Sequence, residues 1–334
     1  MLKIAVVILN WNGVKLLERF LPSVLEYSNN HKIYVADNAS TDSSITFIKE
    51  NYPSIGIVEN TVNGGYAKGY NDALQHIDAD IFCLLNSDVE VTPNWLCPIA
   101  EHFTKNIDTV IIQPKILDLK KKTHFEYAGA GGGFLDSFGY PFCRGRIFDT
   151  LEEDKGQYDD TTPIFWASGA CFFIRKSTFT ALGGFDEDYF AHQEEIDLCW
   201  RAQNTGLQVM YVGTSTVYHL GGSTLSEMNP KKTFLNFRNS LFSIIKNIPI
   251  QKAILIVLAR LLLDGIAGIR FLTQLRFSHF LAIIKAHFSF YWNIPKTLKK
   301  RDLKVKYKKY HKIKSIVWSY FVNGSKEFNN LVKD

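Results

Sequence analysis

The most constraining feature of the chain is an alternation in its first 90 residues. Short β-branched runs at 3–9, 32–36, 56–59 and 81–85 are separated by segments of helical periodicity at 14–27, 43–51 and 67–76. Apolar strands joined by amphipathic helices are satisfied by a parallel sheet whose crossovers cover its faces, an α/β architecture. Each run ends in polar residues: Asn10-Trp11-Asn12, Asp37-Asn38, Asn60 and Asn86-Ser87-Asp88. In an open α/β sheet ligands sit at the carboxyl ends of the strands, so this punctuation already locates a site. Thr41 or Asp42 is expected to cap the helix at 43–51.

From about 115 to 165 the pattern weakens into a glycine-rich run (128–133), an aromatic stretch and the acidic Glu152-Glu153-Asp154. A loop-rich, mobile cleft wall is expected there. Order returns with a strand over 165–174, a helix from 177, a second over 194–204, and a strand from 208 toward Tyr218 that ends at His219. Beyond Pro230, helices are expected over 234–247 and 249–275, then an aromatic-rich one over 277–292 ahead of Pro295.

Charge divides the chain at the same place. Residues 231–334 hold 21 of the 38 Lys+Arg and 4 of the 33 Asp+Glu, a charge of +17, whereas residues 1–230 carry 17 and 29, or −12. At 46% hydrophobic and 21% charged the whole is ordinary globular protein, which excludes collagen-like and disordered classes. In the helix at 249–275, Lys252, Arg260, Asp264, Arg270 and Gln274 share an arc of about 120°, leaving a wide apolar face. Those interior charges argue against a membrane span. The stretch 296–314 then has ten basic residues and one acidic one. Apolar face, aromatic helix and basic run together imply interfacial association with an anionic membrane surface through residues 250–314. Packing on the catalytic unit, a dimer interface and a nucleic-acid face are the competing readings, and no nucleic-acid partner is expected. The five cysteines have no C-x-x-C spacing and read as reduced thiols. The run 4–9 is too short for a signal peptide, so the chain is expected on the cytoplasmic side, peripheral to the inner membrane.

Three constellations carry chemistry. Asn86-Ser87-Asp88 follows an apolar strand, and Asp88 suits a hard cation such as Mg²⁺ or Mn²⁺, which takes one or two carboxylates plus a substrate's phosphates. The competing reading is a capping turn before Pro93. Asp37 stands at the next strand end, beyond what a helix cap explains. Asn63-Gly64-Gly65, followed by Lys68, permits close backbone approach and opens a helix whose free N–H groups suit phosphate. No G-x-G-x-x-G follows the first strand, and the P-loop and G-x-S-x-G signatures are absent.

With these motifs in order, the chain resembles the inverting family-two glycosyltransferases of GT-A fold, within them the bacterial rhamnosyltransferase-like group. The resemblance covers residues 3 to about 222. It rests on Asn10-Trp11-Asn12, Asp37-Asn38-x-Ser40-x-Asp42, Asn63-Gly64-Gly65, Asn86-Ser87-Asp88, Trp166-Ala167-Ser168-Gly169-Ala170, Gly183-Gly184-Phe185-Asp186, Glu194-Glu195-Ile196-Asp197-Leu198 and Val217 to Ser223. It implies a Rossmann-like, mostly parallel mixed sheet flanked by helices, with a catalytic domain over 1–230 and a basic helical extension over 231–334. The nucleotide-sugar half would span about 1–115 and the acceptor half about 160–230.

By that resemblance Asp37 bonds the nucleotide base, and Asn10, Asn12, Asn63, Gly64, Gly65, Lys68, Asn86 and Ser87 line the donor site. Asp88 and His219 hold a divalent metal, Mn²⁺ or Mg²⁺. Glu195 is the general base with Glu194 as its alternative, while Trp166, Ser168, Gly169 and Asp197 face the acceptor. Two departures stand out: Asn86 replaces the first Asp of the D-x-D signature, and Glu195 occupies a position usually held by Asp. The implied reaction transfers a sugar, rhamnose first, from a nucleotide-diphosphate donor to a lipid-linked or cell-surface polysaccharide precursor. A UDP-hexose donor, or a noncatalytic sugar-binding role, is the alternative.

Overall fold

The computed structural model describes residues 2–28, 30–221, 229–301 and 309–331; part of the basic run and Gly222-Ser223 lie outside them. The amino-terminal alternation is realised as β1 (Ile4–Asn10), α1 (Val14–Tyr27), β2 (Lys32–Asp37), α2 (Ser44–Asn51), β3 (Gly56–Glu59), α3 (Gly65–Leu74) and β4 (Ile81–Asn86). There follow β5 (Val89–Val91), α4 (Leu96–Lys105), β6 (Thr109–Asp118), the short strands β7 (Gly133–Leu135), β8 (Pro141–Cys143), β9 (Arg146–Ile147), β10 (Thr150–Leu151) and β11 (Thr161–Pro163), then β12 (Cys171–Arg175) and α5 (Lys176–Ala181). A 3₁₀ turn (Glu187–Tyr189), α6 (Glu194–Asn204) and β13 (Gln208–His219) complete this part. The remainder is helical: α7 (Pro230–Asn247), α8 (Ile250–Thr273), α9 (Phe277–Lys299), α10 (Ile316–Phe321) and α11 (Phe328–Leu331).

The main sheet has the order β3-β2-β1-β4-β12-β6-β13-β11, with β5 added against β13. β3, β2, β1 and β4 run parallel, β12 is antiparallel to both β4 and β6, and β13 is parallel to β6. The order reverses at β1: β2 and β3 lie on one side, β4 on the other. That reversal opens a crevice at the carboxyl ends, where Asn10 pairs in register with Asp37 and Leu9 with Asn86. Strand period two sends Val6 and Ile8 into one apolar cluster with α1 and α4, and Ala5 and Val7 into another with α3 and α6. Asp42 caps as expected and does so twice, accepting from Ser44 N at 3.0 Å and from Val14 N at 3.1 Å.

Three expectations are corrected. The stretch 115–165 is an ordered wall: β6 continues to Asp118, and β7 to β10 form a separate antiparallel sheet. Its strands of two or three residues are too short for periodicity to register. The strand expected over 165–174 is confined to Cys171–Arg175. Pro295 does not end its helix, since α9 runs through it to Lys299; a proline costs one backbone bond, and the turns on both sides continue.

The middle of the α8 polar arc faces inward, beside Ala253, Ile256, Val257 and Gly268, while Lys252, Arg270 and Gln274 at its ends are exposed. Arg260 and Asp264 are 1% and 0% exposed, whereas Leu262 is 72% and, on α9, Trp292 is 88% exposed. Asp264 accepts from Arg260 Nε (3.0 Å), Tyr140 Oη (2.6 Å) and His287 Nε2 (3.0 Å), and Arg260 also donates to Ser240 Oγ at 2.8 Å. A buried carboxylate with these partners joins α8, α9 and α7 to the loop before β8. Among the described residues no helix is long and apolar enough to cross a membrane. Replacing Asp264 by Ala leaves the Arg260 charge buried and unpaired, and is expected to lower the unfolding free energy by about 3–5 kcal/mol in urea titrations. The double change Arg260→Met/Asp264→Leu should cost less, because neither charge is then stranded.

Candidate active site

The crevice edge is organised by side-chain amides. Asn10, fully buried, donates from Nδ2 to Asp37 Oδ1 (3.1 Å) and Ser40 Oγ (3.2 Å), while Asp37 Oδ2 accepts from Ser40 N at 2.8 Å. Asn12 Oδ1 accepts from Thr41 N at 2.7 Å. Asn38, which the site reading passed over, donates to Asn63 Oδ1 and to Gly65 O, both at 3.0 Å, and accepts from Asn60 Nδ2 at 3.2 Å. These bonds tie the first three strand ends to the Asn63-Gly64-Gly65 turn. Lys68, one turn into α3, pairs with Asp72 at 2.9 Å. The N–H groups of Tyr66 and Ala67, expected to suit phosphate, point to the carbonyl of Phe190 at 2.9 and 3.4 Å. Gly65, at φ +76°, permits that approach: a Cβ there would lie 2.4 Å from Phe190 O.

Asp88 and His219 are brought together by strand pairing. β13 pairs with β5, setting His219 opposite Val89, and with β6, setting it opposite Asp118. His219 Nε2 is 3.1 Å from Asp88 Oδ1 and 3.5 Å from Asn86 Nδ2, and Nδ1 lies 3.2 Å from Glu126 Oε1. Burial disfavours the imidazolium, but the two carboxylates outweigh it and lift the pKa to about 10. Glu126 had no signal in the sequence beyond being an acid among aromatics; it holds the ring from behind so that Nε2 faces Asp88.

Asp88 and His219 converge at the sheet edge, where the imidazole would have to give up its Nε2 proton before it could ligate a hard divalent cation beside the carboxylate. Among the described residues no group of three or more acidic, histidine or cysteine side chains could hold a metal ion. An open pair leaves coordination positions for phosphate oxygens and water, as Mg²⁺ and Mn²⁺ commonly require.

The second acidic cluster begins α6. Glu194 is buried and Glu195 half-buried, each with a solvent-shielded Oε2 that no group among the described residues satisfies. Burial, then the neighbouring Glu195 charge, raises the Glu194 pKa well above the usual range, and burial pushes Glu195 up to about 7. The segment 166–170 runs between the two clusters: Ala170 O accepts from Asn86 N at 3.0 Å, and Gly169 O accepts from Tyr66 Oη at 2.9 Å. Burial, the Tyr70 hydroxyl and the charges of Glu194 and Glu195 all raise the Tyr66 pKa.

On the acceptor side, three expected contacts are buried instead. Trp166 donates from Nε1 to Phe134 O at 3.0 Å, beneath the small sheet. Ser168 accepts at its backbone-facing hydroxyl and donates to Ala128 O, with its own N–H bonded to Gln113 at 2.8 Å. Asp197 is fully buried between Lys246 (2.8 Å), Arg201 (2.8 Å) and Asn247 (2.8 Å). Burial favours its neutral form, but the two cations outweigh this and hold its carboxyl well below the usual range. It orients α6 and does not face a ligand. Gly169 alone of the four lies half-buried, against Tyr66.

A switch-point crevice lined by amides, with an acid–imidazole pair at one end and a buried carboxylate pair at the other, defines a sugar-transferring enzyme of GT-A fold. The model of glycosyl transferase family 2 matches residues 5–183, and the chain belongs to that family. It is 28% identical over 222 residues to an N-acetylglucosaminyl-diphospho-decaprenol L-rhamnosyltransferase of Mycobacterium tuberculosis, an alignment covering 61% of this chain and 71% of that protein. It is 25% identical over 213 residues to the rhamnosyltransferase WbbL of Escherichia coli K12, covering 60% and 79%. Among solved structures, a mannosyltransferase of Pyrobaculum calidifontis in complex with GDP-Man and Mn²⁺ shares the fold with TM-score 0.54 and 12% identity over 87% of this chain and 88% of that one. GalNAc-T7 with UDP, GalNAc and Mn²⁺ gives 0.55 at 18% identity; the match covers 73% of this chain and about half (48%) of the longer one.

The contact between Gly65 and Phe190 gives a direct test of the link between the two clusters. Gly65→Ala meets both a left-handed φ and the carbonyl, and is expected to cost about 1–3 kcal/mol of stability, read as a lower urea midpoint.

Proposed function

We propose that the protein transfers a sugar, with inversion, from a nucleoside-diphosphate donor to a hydroxyl of a lipid-linked polysaccharide precursor, with rhamnose on deoxythymidine diphosphate as the donor to test first. The observation that carries this reading is the presence, along one crevice, of two carboxylate clusters of opposite character. Asp88 faces an imidazole; the buried Glu194 and half-buried Glu195 make no ion pair among the described residues and hold protons near neutrality. The M. tuberculosis relative's name, with its decaprenol-linked substrate, supports a lipid-linked acceptor. Residues 1–230 would form the catalytic unit and 231–334 its membrane-facing extension.

In this reading Asp37, steadied by Asn10 and Ser40, uses its remaining lone pairs to accept from the nucleotide base. The Asn12, Asn63, Gly64 and Gly65 backbone and the Lys68 ammonium bound the diphosphate. A sugar hydroxyl is a weak nucleophile near neutral pH, so Glu195 takes its proton as the oxygen attacks the anomeric carbon. The anomeric carbon's bond to the diphosphate breaks, and the nucleoside diphosphate leaves from the opposite face. Glu194, kept protonated by burial and by its neighbour, holds a second negative charge away from the base. A divalent cation held by Asp88 and His219 would neutralise charge on the diphosphate.

The base assignment sets the sign of the pH dependence. Glu195 works only when ionised, so turnover should rise with pH and level off above about 7, where an exposed glutamate would level off above about 4.3. Glu195→Gln should lower nucleoside-diphosphate release by about 10²–10⁴-fold. Asp88→Ala and EDTA should abolish it. Undiminished release in Glu195→Gln would remove the base assignment.

Membrane engagement belongs to the same reading. α8 and α9 turn Leu258, Leu262, Ile266, Phe288 and Trp292 outward, in a segment whose net charge is +17. Apolar side chains among basic ones suit the interface of an anionic bilayer, on the cytoplasmic face, where a lipid-linked acceptor would be presented. The full chain is expected to co-sediment with phosphatidylglycerol vesicles and weakly with phosphatidylcholine alone. Leu262→Glu/Trp292→Glu should weaken that binding about 100-fold or more, since each buried side chain contributes about 1.5–3 kcal/mol.

A further inference from the structure

Three of the four residues before Glu194 have left-handed backbone: Phe190 (φ 64°), His192 (φ 68°) and Gln193 (φ 74°). None is glycine, and such a conformation persists only where the surroundings over-determine it. The surroundings come from two directions. From α7, Asn239 Nδ2 points at three successive-turn carbonyls, Tyr189 O at 3.0 Å, Ala191 O at 3.0 Å and His192 O at 2.7 Å. Asn239 is fully buried, and its Oδ1 accepts from Arg238 Nε at 2.9 Å. Arg238 Nη2 in turn donates to Asp188 O at 2.9 Å and Tyr189 O at 3.2 Å. From α3, the N–H groups of Tyr66 and Ala67 take the Phe190 carbonyl. Gln193 O then accepts from Asp197 N at 3.0 Å, so the turn sets where α6 starts.

We infer that Asn239 and Arg238, although they lie in the helical extension, are positioning residues for the catalytic carboxylates: they hold the 189–193 turn in the left-handed geometry that aims the first turn of α6, and through Phe190 they join it to the donor turn. The inference rests on the reading of Glu195 or Glu194 as the base. Fastening the extension to the rest of the fold does not require these bonds. Lys246 with Asp186 and Asp197, Asn247 with Asp197, and Lys300 with Asp186 and Asp188 already do that. A single amide with three backbone carbonyls around it specifies a shape, which fastening alone would not need.

The test uses the full chain with Asn239→Ser and with Asn239→Asp, which keeps the shape and removes the amide donor. In hydrogen exchange, peptides covering 189–197 and 65–70 are expected to exchange about tenfold faster in both variants, with 255–270 unchanged. Unchanged protection at 189–197, or equal loosening at 255–270, would overturn the inference in favour of simple fastening. Should Asn239→Ser fail to fold, Arg238→Gln removes the bonds to Asp188 O, Tyr189 O and Asn239 Oδ1 while keeping the Asn239 amide, and should give the same pattern at about threefold.

Turnover gives a second arm, measured as nucleoside-diphosphate release from a panel of nucleotide sugars. Here kcat should fall about 10²-fold with donor KM little changed, and the acid limb of the pH profile should move down as water reaches Glu195. The titratable groups whose ionisation the Glu195 charge affects are Glu194, Tyr66 of α3 and Cys199 of α6, none of which the variants alter. A fall in kcat with the acid limb unmoved indicates loss of folded enzyme and overturns the positioning role. The exchange arm is independent of the base: active Glu195→Gln would remove the base assignment and leave the clamp, and wild-type exchange in Asn239→Ser would do the reverse.

Discussion

Lys246, almost fully buried on α7, donates to Asp186 at 2.7 Å and to Asp197 at 2.8 Å, and the placing of α6 depends on it. Removing one partner of such a pair strands a charge in the interior, which is far more costly than the pair itself is favourable. Along α6 the consequences are opposite on neighbouring turns. Asp197 meets Lys246 and Arg201 and stays ionised in spite of burial. Glu194 and Glu195 meet no such cation, and burial pushes both the other way. One helix therefore carries a permanently charged structural anchor and, beside it, carboxylates suited to exchanging protons.

The polar ends of the strands were legible because strands of four to seven residues leave a periodic record and because an α/β sheet delivers all of them to one edge. Asp88 and His219 follow from that logic even though 131 residues separate them, since Asp88 lies in the turn just after β4 and His219 ends β13. The acceptor side was not legible for a different reason. Trp166, Ser168 and Asp197 carry the residue types of a binding surface, and composition does not distinguish a group that awaits a ligand from one that a Gln113, a Phe134 carbonyl or a Lys246 already occupies. Glu126 and Asn239 act through contacts with chain segments far away in sequence, which no local pattern records. For α8 the periodicity correctly separated a polar arc from an apolar one. Within that polar arc only Arg260 and Asp264 turn inward, where Tyr140, His287 and Ser240 supply their hydrogen bonds.

The donor turn and α6 meet at one carbonyl. Phe190 O closes the amino end of α3 on one side, while its own residue is held in a conformation that L-amino acids adopt at a cost. Gly65 makes the approach possible by having no Cβ, so its smallness serves the protein's own backbone as much as any ligand. The half of the crevice built from parallel strands and the half built around α6 are in this way braced against one another at their closest point.

The long span of β13 has a consequence for the order of events during synthesis. His219 reaches Asp88 only when β13 has paired with β5 and β6, and the turn before Glu194 is complete only when Asn239 has arrived on α7. Contacts of such separation form late, after their loop-closure entropy has been offset by the rest of the sheet. A nascent chain still short of residue 240 can hold most of its sheet and yet lack an assembled site. Both the Asp88–His219 pair and the turn before Glu194 thus wait on the last part of the fold to form.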